Sequence, residues 1–325
     1  MKSDRQSEPH RKVVVVGAGS VGATYCYSLA QSGLADEIVL IDRNEDLVKG
    51  QVLDLVQGQS FFPTVDIRSG SDSDYADSQL VVITAGAAQK PGETRLQLLK
   101  KNSEIVGGIA ETVARQECQG VMLIVSNPVD VLTYTALKRS GWERGRVIGS
   151  GTVLDSARFR HILGNHCDVD VHNVHAYFLG EHGDSEFAAW SMTNIAGIAI
   201  SDYCNVCGKC PGWSQEREKI EKQVRESAYH IINSKGSTYF AVGLALVRIT
   251  ASILRKQNSV LTVSSYLSGE FGINDVCLSV PSIVSDKGVK RIIDSKLAPE
   301  ELKALKHSAS VLRTAIDLIE TVSVH

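Results

Sequence analysis

The run LGEHGDSE, residues 179–186, sets one imidazole, His182, between a carboxylate and a glycine in a stretch too mixed for an obvious helix or strand. Histidine ordinarily titrates at about 6.5, so it can give or take a proton near neutral pH, which makes His182 a candidate general acid and base. A second stretch, GAGSVG, spaces Gly17, Gly19 and Gly22 as G-x-G-x-x-G around Ser20 and Val21. It follows a β-branched run and opens an Ala-rich one. The chain can turn tightly there and bring backbone N–H groups and the positive end of a helix up to a pyrophosphate. Asp42 stands 20 residues beyond Gly22, at the end of the next apolar run. A carboxylate there accepts hydrogen bonds from ribose hydroxyls and repels a 2′-phosphate, favouring NAD over NADP. Arg43 beside it weakens that preference, because it could partner the phosphate instead. The thiols of CNVCGKC, Cys204, Cys207 and Cys210, have C-x2-C-x2-C spacing without a fourth thiolate at a matching interval, and they read as a Gly-rich surface loop with no metal.

These groups need a frame. RKVVVVGAGSVGATYCYSLAQSG reads as strand, turn and helix, DEIVLID (36–42) as a second strand, and NEDLVKGQVLDLVQGQ as a helix through Leu47, Val48, Leu53 and Leu55. QLVVIT (79–84) and GVMLIVS (120–126) repeat the buried-strand signature on either side of a helix from about Glu93 to Arg115. Strands alternating with helices predict an α/β fold, a Rossmann-type doubly wound parallel sheet covered on both faces. Gly107 and Gly108 fall inside the long helix, where each costs about 1 kcal/mol relative to alanine; close packing against a ligand or neighbour would account for them. Beyond Gly151 come short mixed strands and two amphipathic helices. One carries Ile220, Val224, Ala228 and Ile231 on a single stripe; the other carries Leu302, Leu305, Ala309, Leu312, Ile316 and Ile319. The expected division is a nucleotide-binding Rossmann domain over 1–150, including a mobile loop, and an α+β substrate domain over 151–325.

Bulk properties narrow the classes. A chain of 325 residues with 43% apolar content can form two packed units. A net charge of −3 provides no global field for nucleic acid or an anionic membrane, so neither is an expected partner. No apolar stretch approaches the roughly 20 residues that span a bilayer. The polar start, MKSDRQSEPHRK, lacks the apolar core of a secretory signal, and an odd count of seven cysteines suits a reducing compartment. A cytoplasmic protein is expected.

Four more fragments complete the pattern: GAAQKPGETR (86–95), SNPVD (126–130), GTVLDSARFR (151–160) and KGSTY (235–239). With the glycine turn and LGEHGDSE, they make the chain strongly resemble the L-lactate dehydrogenases of the lactate/malate dehydrogenase family, over almost its whole length. The resemblance implies an NAD-dependent oxidoreductase that moves a hydride between NADH and pyruvate, giving L-lactate. Such a reaction needs a proton donor for the new alkoxide, a cation that polarises the carbonyl and an anchor for the carboxylate. By resemblance His182 is the donor, Asp155 the carboxylate that orients it, and Arg95 the mobile-loop cation. Arg158, three residues after Asp155 on the same helical face, can bind the substrate carboxylate with its planar fork. Asn127 resembles the side chain that hydrogen-bonds substrate and borders the cofactor; Thr238 resembles the one lining the pocket floor.

Substrate choice turns on Gln89, where the malate branch carries an arginine for a second carboxylate. An uncharged amide favours pyruvate and lactate. Ala88 departs from many bacterial relatives, which have asparagine. Arg160 and His175 match the positions through which many bacterial members bind fructose 1,6-bisphosphate between subunits, and the resemblance implies a homotetramer. The nearest rival reading is a malate or other L-2-hydroxy-acid dehydrogenase. More distant ones are a metal-dependent, NAD-using glycosidase and a non-enzymatic nucleotide-binding protein. Intact His182, Asp155, Arg158 and Arg95 argue against the last.

Overall fold

The computed structural model describes residues 10–88, 92–208 and 213–320. The first half alternates strand and helix: β1 (Lys12–Val16), α1 (Ser20–Ser32), β2 (Glu37–Ile41), α2 (Glu45–Gln57), β3 (Asp66–Ser69), β4 (Leu80–Ile83), α3 (Arg95–Arg115), β5 (Val121–Ile124), α4 (Val129–Ser140) and β6 (Val147–Gly149). These six strands pair in parallel in the order β3-β2-β1-β4-β5-β6. Strand order reverses between β1 and β4, and a ligand crevice opens at the carboxyl ends of the strands at such a switch point. Alternate residues of β1 serve opposite faces. Val13 and Val15 join Tyr25, Leu29 and Leu80 in one core, while Val14 and Val16 join Val81, Ile83 and Met122 in the other. That burial on both faces is why these strands read as unbroken apolar runs.

The second half contains α5 (Val153–Cys167), α6 (Ile200–Cys207), α7 (Trp213–Lys235), α8 (Phe240–Leu254) and α9 (Pro299–Glu320), with short antiparallel strands between them. The halves are not separate layers. Strand Ser264–Ser268 extends the first sheet beyond β6, antiparallel to it, Asn274–Ser279 pairs antiparallel with that strand in turn, and Gly243 of α8 lies against Thr24 of α1. The expected boundary near residue 150 falls between β6 and α5, yet one eight-stranded sheet runs across it.

Two local expectations need correction. Cys204 and Cys207 lie on α6, not in a loop: Cys204 packs in a core with Ile200 and Phe159, and Cys207 is partly buried. Cys210 lies outside the described residues. On α2, Val48 is buried but Leu47 and Leu53 are 39% and 59% exposed. Gly107 is explained by its neighbour, because an added Cβ would sit 3.3 Å from the Arg139 side chain of α4. Nothing in the structure explains Gly108. No helix among the described residues is long and apolar enough to cross a membrane.

Candidate active site

The crevice at the sheet's carboxyl edge begins with the glycine turn after β1. Gly17 has φ +115°, and a Cβ there would lie 2.6 Å from Thr84 Oγ1. At Gly22 a Cβ would fall 1.9 Å from the Gly17 carbonyl oxygen, so only hydrogen lets α1 approach the turn this closely. Gly19 has nothing within 4 Å of that position among the described residues, which leaves its face open. Gly19 and Ser20 are exposed and Val21 is partly buried. The first turn of α1 has neither a side-chain cap nor an acidic residue. Its N–H groups and positive dipole end therefore point into the open space, which suits a pyrophosphate.

Asp42, just beyond β2, spans the crevice. Its Oδ2 accepts from the Ala18 amide (2.8 Å) and its Oδ1 from the Asn44 amide (2.9 Å). Each oxygen keeps a lone pair for a ribose hydroxyl. Asn127 follows β5; its side chain is exposed and its carbonyl accepts from Asn102 Nδ2 at 3.2 Å. These residues fit a dinucleotide with a free 2′-hydroxyl.

The candidate acid–base group comes from the second half. Asp155 sits in the first turn of α5, where the helix dipole favours a carboxylate. Its Oδ2 meets His182 Nδ1 at 2.7 Å, and its Oδ1 accepts from Arg158 Nη1 at 2.6 Å. Asp155 is 2% exposed and Arg158 11%, while His182 keeps 26% of its side chain open. Three contacts fix the imidazole's loop against these groups. Thr152 Oγ1, at the start of α5, donates to the Phe178 carbonyl at 2.5 Å, the Phe178 amide donates to Ser156 Oγ at 2.9 Å, and the His182 amide donates to Asp130 Oδ2 of α4 at 2.7 Å.

Burial opposes charge on His182, but the Asp155 carboxylate outweighs it and the imidazole is pushed up to about 9. Asp155 is itself held below the ordinary range: burial raises it, but the combined cations of His182 and Arg158 prevail. Because the folded pKa of His182 lies above its unfolded value, the pair's contribution to stability is complete below about pH 6.5 and is lost as pH rises through about 9. In Asp155→Asn, burial alone should bring His182 back to about 6.5 or lower. The alkaline fall of kcat/KM for keto-acid reduction should then move down by about two pH units; an unmoved limb would show that Asp155 does not control the ring.

The remaining candidates are more scattered. Arg95 is the first residue of α3, exposed, and makes no hydrogen bond or ion pair among the described residues; its charge reaches Tyr229 of α7. A cation at a helix's positive end costs about 0.3–1 kcal/mol, so its place is not explained by stability. Thr238 is partly buried between α7 and α8. Gln89 lies outside the described residues, as do Lys90 and Pro91. Arg160 and His175 meet elsewhere, on a cleft of about 470 Å³ lined also by Ala157, Tyr177, Leu244 and Arg248. Helix α5 thus turns Asp155 and Arg158 toward the imidazole and Ala157 and Arg160 toward this cleft.

Two residues that sequence reasoning passed over complete the cluster. Asp130, 2% exposed, also accepts from Ser264 Oγ at 2.5 Å, and burial pushes it up to about 6. Glu186 is buried beside Asp155 and His182. Both stand within fragments already notable for other residues, SNPVD and LGEHGDSE, and their acidity at apolar depth was the available signal.

The chain is similar to known proteins through both of its halves. Residues 11–149 match the NAD-binding domain of lactate/malate dehydrogenase, and residues 152–322 match that family's alpha/beta C-terminal domain. The L-lactate dehydrogenase of Treponema denticola is 60% identical over 95% of this chain and 98% of its own. That of a Thermoanaerobacter species is 50% identical over 95% and 99%. The crystal structure of a lactate dehydrogenase from a Medee basin deep-sea metagenome library superposes with a TM-score of 0.93 at 41% identity, covering 96% of this chain and 99% of that one. The ligand-bound minor L-lactate dehydrogenase of Enterococcus mundtii gives 0.92 at 40%, with the same coverage. With both halves matched end to end, this chain belongs to the lactate/malate dehydrogenase family.

Proposed function

We propose that the protein is an NAD-dependent L-lactate dehydrogenase that interconverts pyruvate and L-lactate, with residues 1–150 holding the nucleotide and 151–325 the substrate. The observation that carries the reading is the Arg158–Asp155–His182 chain of contacts, at 2.6 and 2.7 Å. NAD, when bound, supplies or accepts the hydride. Asp155 occupies Nδ1 of His182, so the exchangeable proton is held at Nε2, where it can pass to a new alkoxide and return in the reverse direction. Arg158 spends one Nη1–H on Asp155 and keeps its other donors for the substrate carboxylate. Arg95 is assigned to polarising the carbonyl, Asn127 to hydrogen-bonding substrate beside the nucleotide, and Thr238 to the pocket floor. Gln89, uncharged, leaves a second carboxylate uncompensated, which favours pyruvate over oxaloacetate.

The cleft around Arg160 is assigned to an anionic effector, fructose 1,6-bisphosphate. No carboxylate among the described residues lines it, and burial together with the charge of Arg248 holds the Arg160 guanidinium below its ordinary pKa. An anion would relieve that repulsion and bear on α5, which carries Asp155 and Arg158. A homotetramer is supported by exposed apolar side chains such as Phe240 and Leu244 on α8. The thiols Cys26, Cys118 and Cys277, buried and outside any disulfide among the described residues, support a reducing, cytoplasmic setting. The test is NADH oxidation with pyruvate and with oxaloacetate, each with and without fructose 1,6-bisphosphate, in wild type and Arg160→Gln. Pyruvate should be preferred by at least about tenfold, the value of one uncompensated charge contact, and any activation should vanish in the variant. A preference for oxaloacetate would overturn the substrate assignment, and activation that survives in Arg160→Gln would overturn the effector site.

A further inference from the structure

The reaction outlined above leaves the carboxyl of Glu186 without a task. Glu186 is 6% exposed, and its Oε2 is a buried oxygen without a hydrogen-bond partner among the described residues. One of its carboxyl oxygens, one of Asp155's and a ring nitrogen of His182 all lie within 4.8 Å of one another. The charged and titratable groups facing it are Asp155 and Arg158 from α5, His182 from its own loop, and Arg225 and Tyr229 from α7. Arg225 donates to the Glu186 backbone carbonyl and pairs with Glu221, so its charge is already matched. Among the described residues no ion pair joins Glu186 to either arginine.

Two carboxyls therefore face one arginine–imidazole pair. Asp155 touches both cations; Glu186 touches neither. Burial, and then the Asp155 carboxylate, push Glu186 well above the ordinary carboxylate range, so of the two carboxyls Asp155 takes the negative charge first and Glu186 keeps its proton to higher pH. An ionised Glu186 would be a second anion beside the guanidinium that the substrate needs.

We propose that Glu186 is a positioning residue for Arg158: un-ionised, it leaves the guanidinium to Asp155 and the substrate carboxylate, and ionised, it competes with the substrate for that cation. Substrate affinity then depends on two protons, one on His182 and one on Glu186. This rests on the assignment of Arg158 as carboxylate anchor.

Pyruvate KM and kcat measured through the alkaline range separate the two protons. In the wild type, KM should climb with a two-proton slope, about 100-fold per pH unit once both groups titrate; in Glu186→Gln the slope should drop to one proton, about tenfold per unit. Because the Glu186 carboxylate raises His182, its loss should also move the alkaline limb of kcat down, whereas a general structural defect would lower kcat at every pH without moving the limb. Equal KM slopes in the two proteins would overturn the proposal. Should Glu186→Gln fail to fold, infrared spectra of the wild type with ¹³C in its glutamate carboxyls provide the test. An isotope-shifted carbonyl band of an un-ionised acid at neutral pH, vanishing at alkaline pH, supports the proposal, and its absence at neutral pH overturns it. Failure of the anchor assignment is distinguishable, because it would appear as an Arg158→Lys variant with unchanged pyruvate KM.

Discussion

Replacing His182 with glutamine should lower kcat for pyruvate reduction by about 10²–10⁴-fold, the range supplied by a positioned general acid, while NADH affinity stays where it is. Glutamine retains a hydrogen-bond donor of similar reach, so the substrate oxygen can still be contacted. What is lost is an ionisable proton. The glycine turn and Asp42 lie on other elements, at the ends of β1 and β2, which is why nucleotide binding is spared. Stopped-flow reduction of pyruvate by prebound NADH reads the chemical step, and fluorescence titration reads NADH. A kcat within tenfold of wild type would remove His182 from the reaction.

Arg158→Lys should cost less, and by a different route. The guanidinium offers several donors in a rigid plane, one taken by Asp155 and the rest available to a carboxylate. An ammonium is a point charge on a flexible stem and cannot serve both partners in that geometry. Losing one charge-assisted hydrogen bond costs about 1.5–3 kcal/mol, so kcat/KM for pyruvate should fall by about 10–150-fold, mainly through KM. Asp155 would also lose one of its two cations and hold the His182 proton more tightly, displacing the alkaline limb upward. A KM within twofold of wild type, or a limb displaced downward, would contradict the assignment.

The sequence discloses this site unevenly, for physical reasons. KVVVV and LVVI are buried on both faces, so their composition alone marks them as central strands. β3, with the sequence DIRS, is an edge strand that buries one side chain, and β6 has three residues; neither has enough apolar pattern to stand out. The two antiparallel strands that continue the first sheet come from residues 264–279, and no local pattern encodes so distant a pairing. Helical spacing placed Arg158 beside Asp155, but not their ion pair, which requires both side chains to be buried together. His182 and Asp155 are 27 residues apart, a separation without a period to read. Only the resemblance joined them, and the fold does so through α5, Phe178 and Asp130. Asp130 and Glu186 escaped notice because their burial, not their identity, makes them unusual.

The most direct measurement is kcat/KM against pH in both directions, pyruvate reduction and lactate oxidation, in one enzyme preparation. A single imidazole that gives a proton one way and takes it back the other, held by Asp155 at about 9, yields opposed curves. Reduction is level at neutral pH and falls through about 9; oxidation rises through the same pH and levels above it. Curves that bend in the same sense, or that have unrelated midpoints, would mean that His182 does not carry the proton of this reaction.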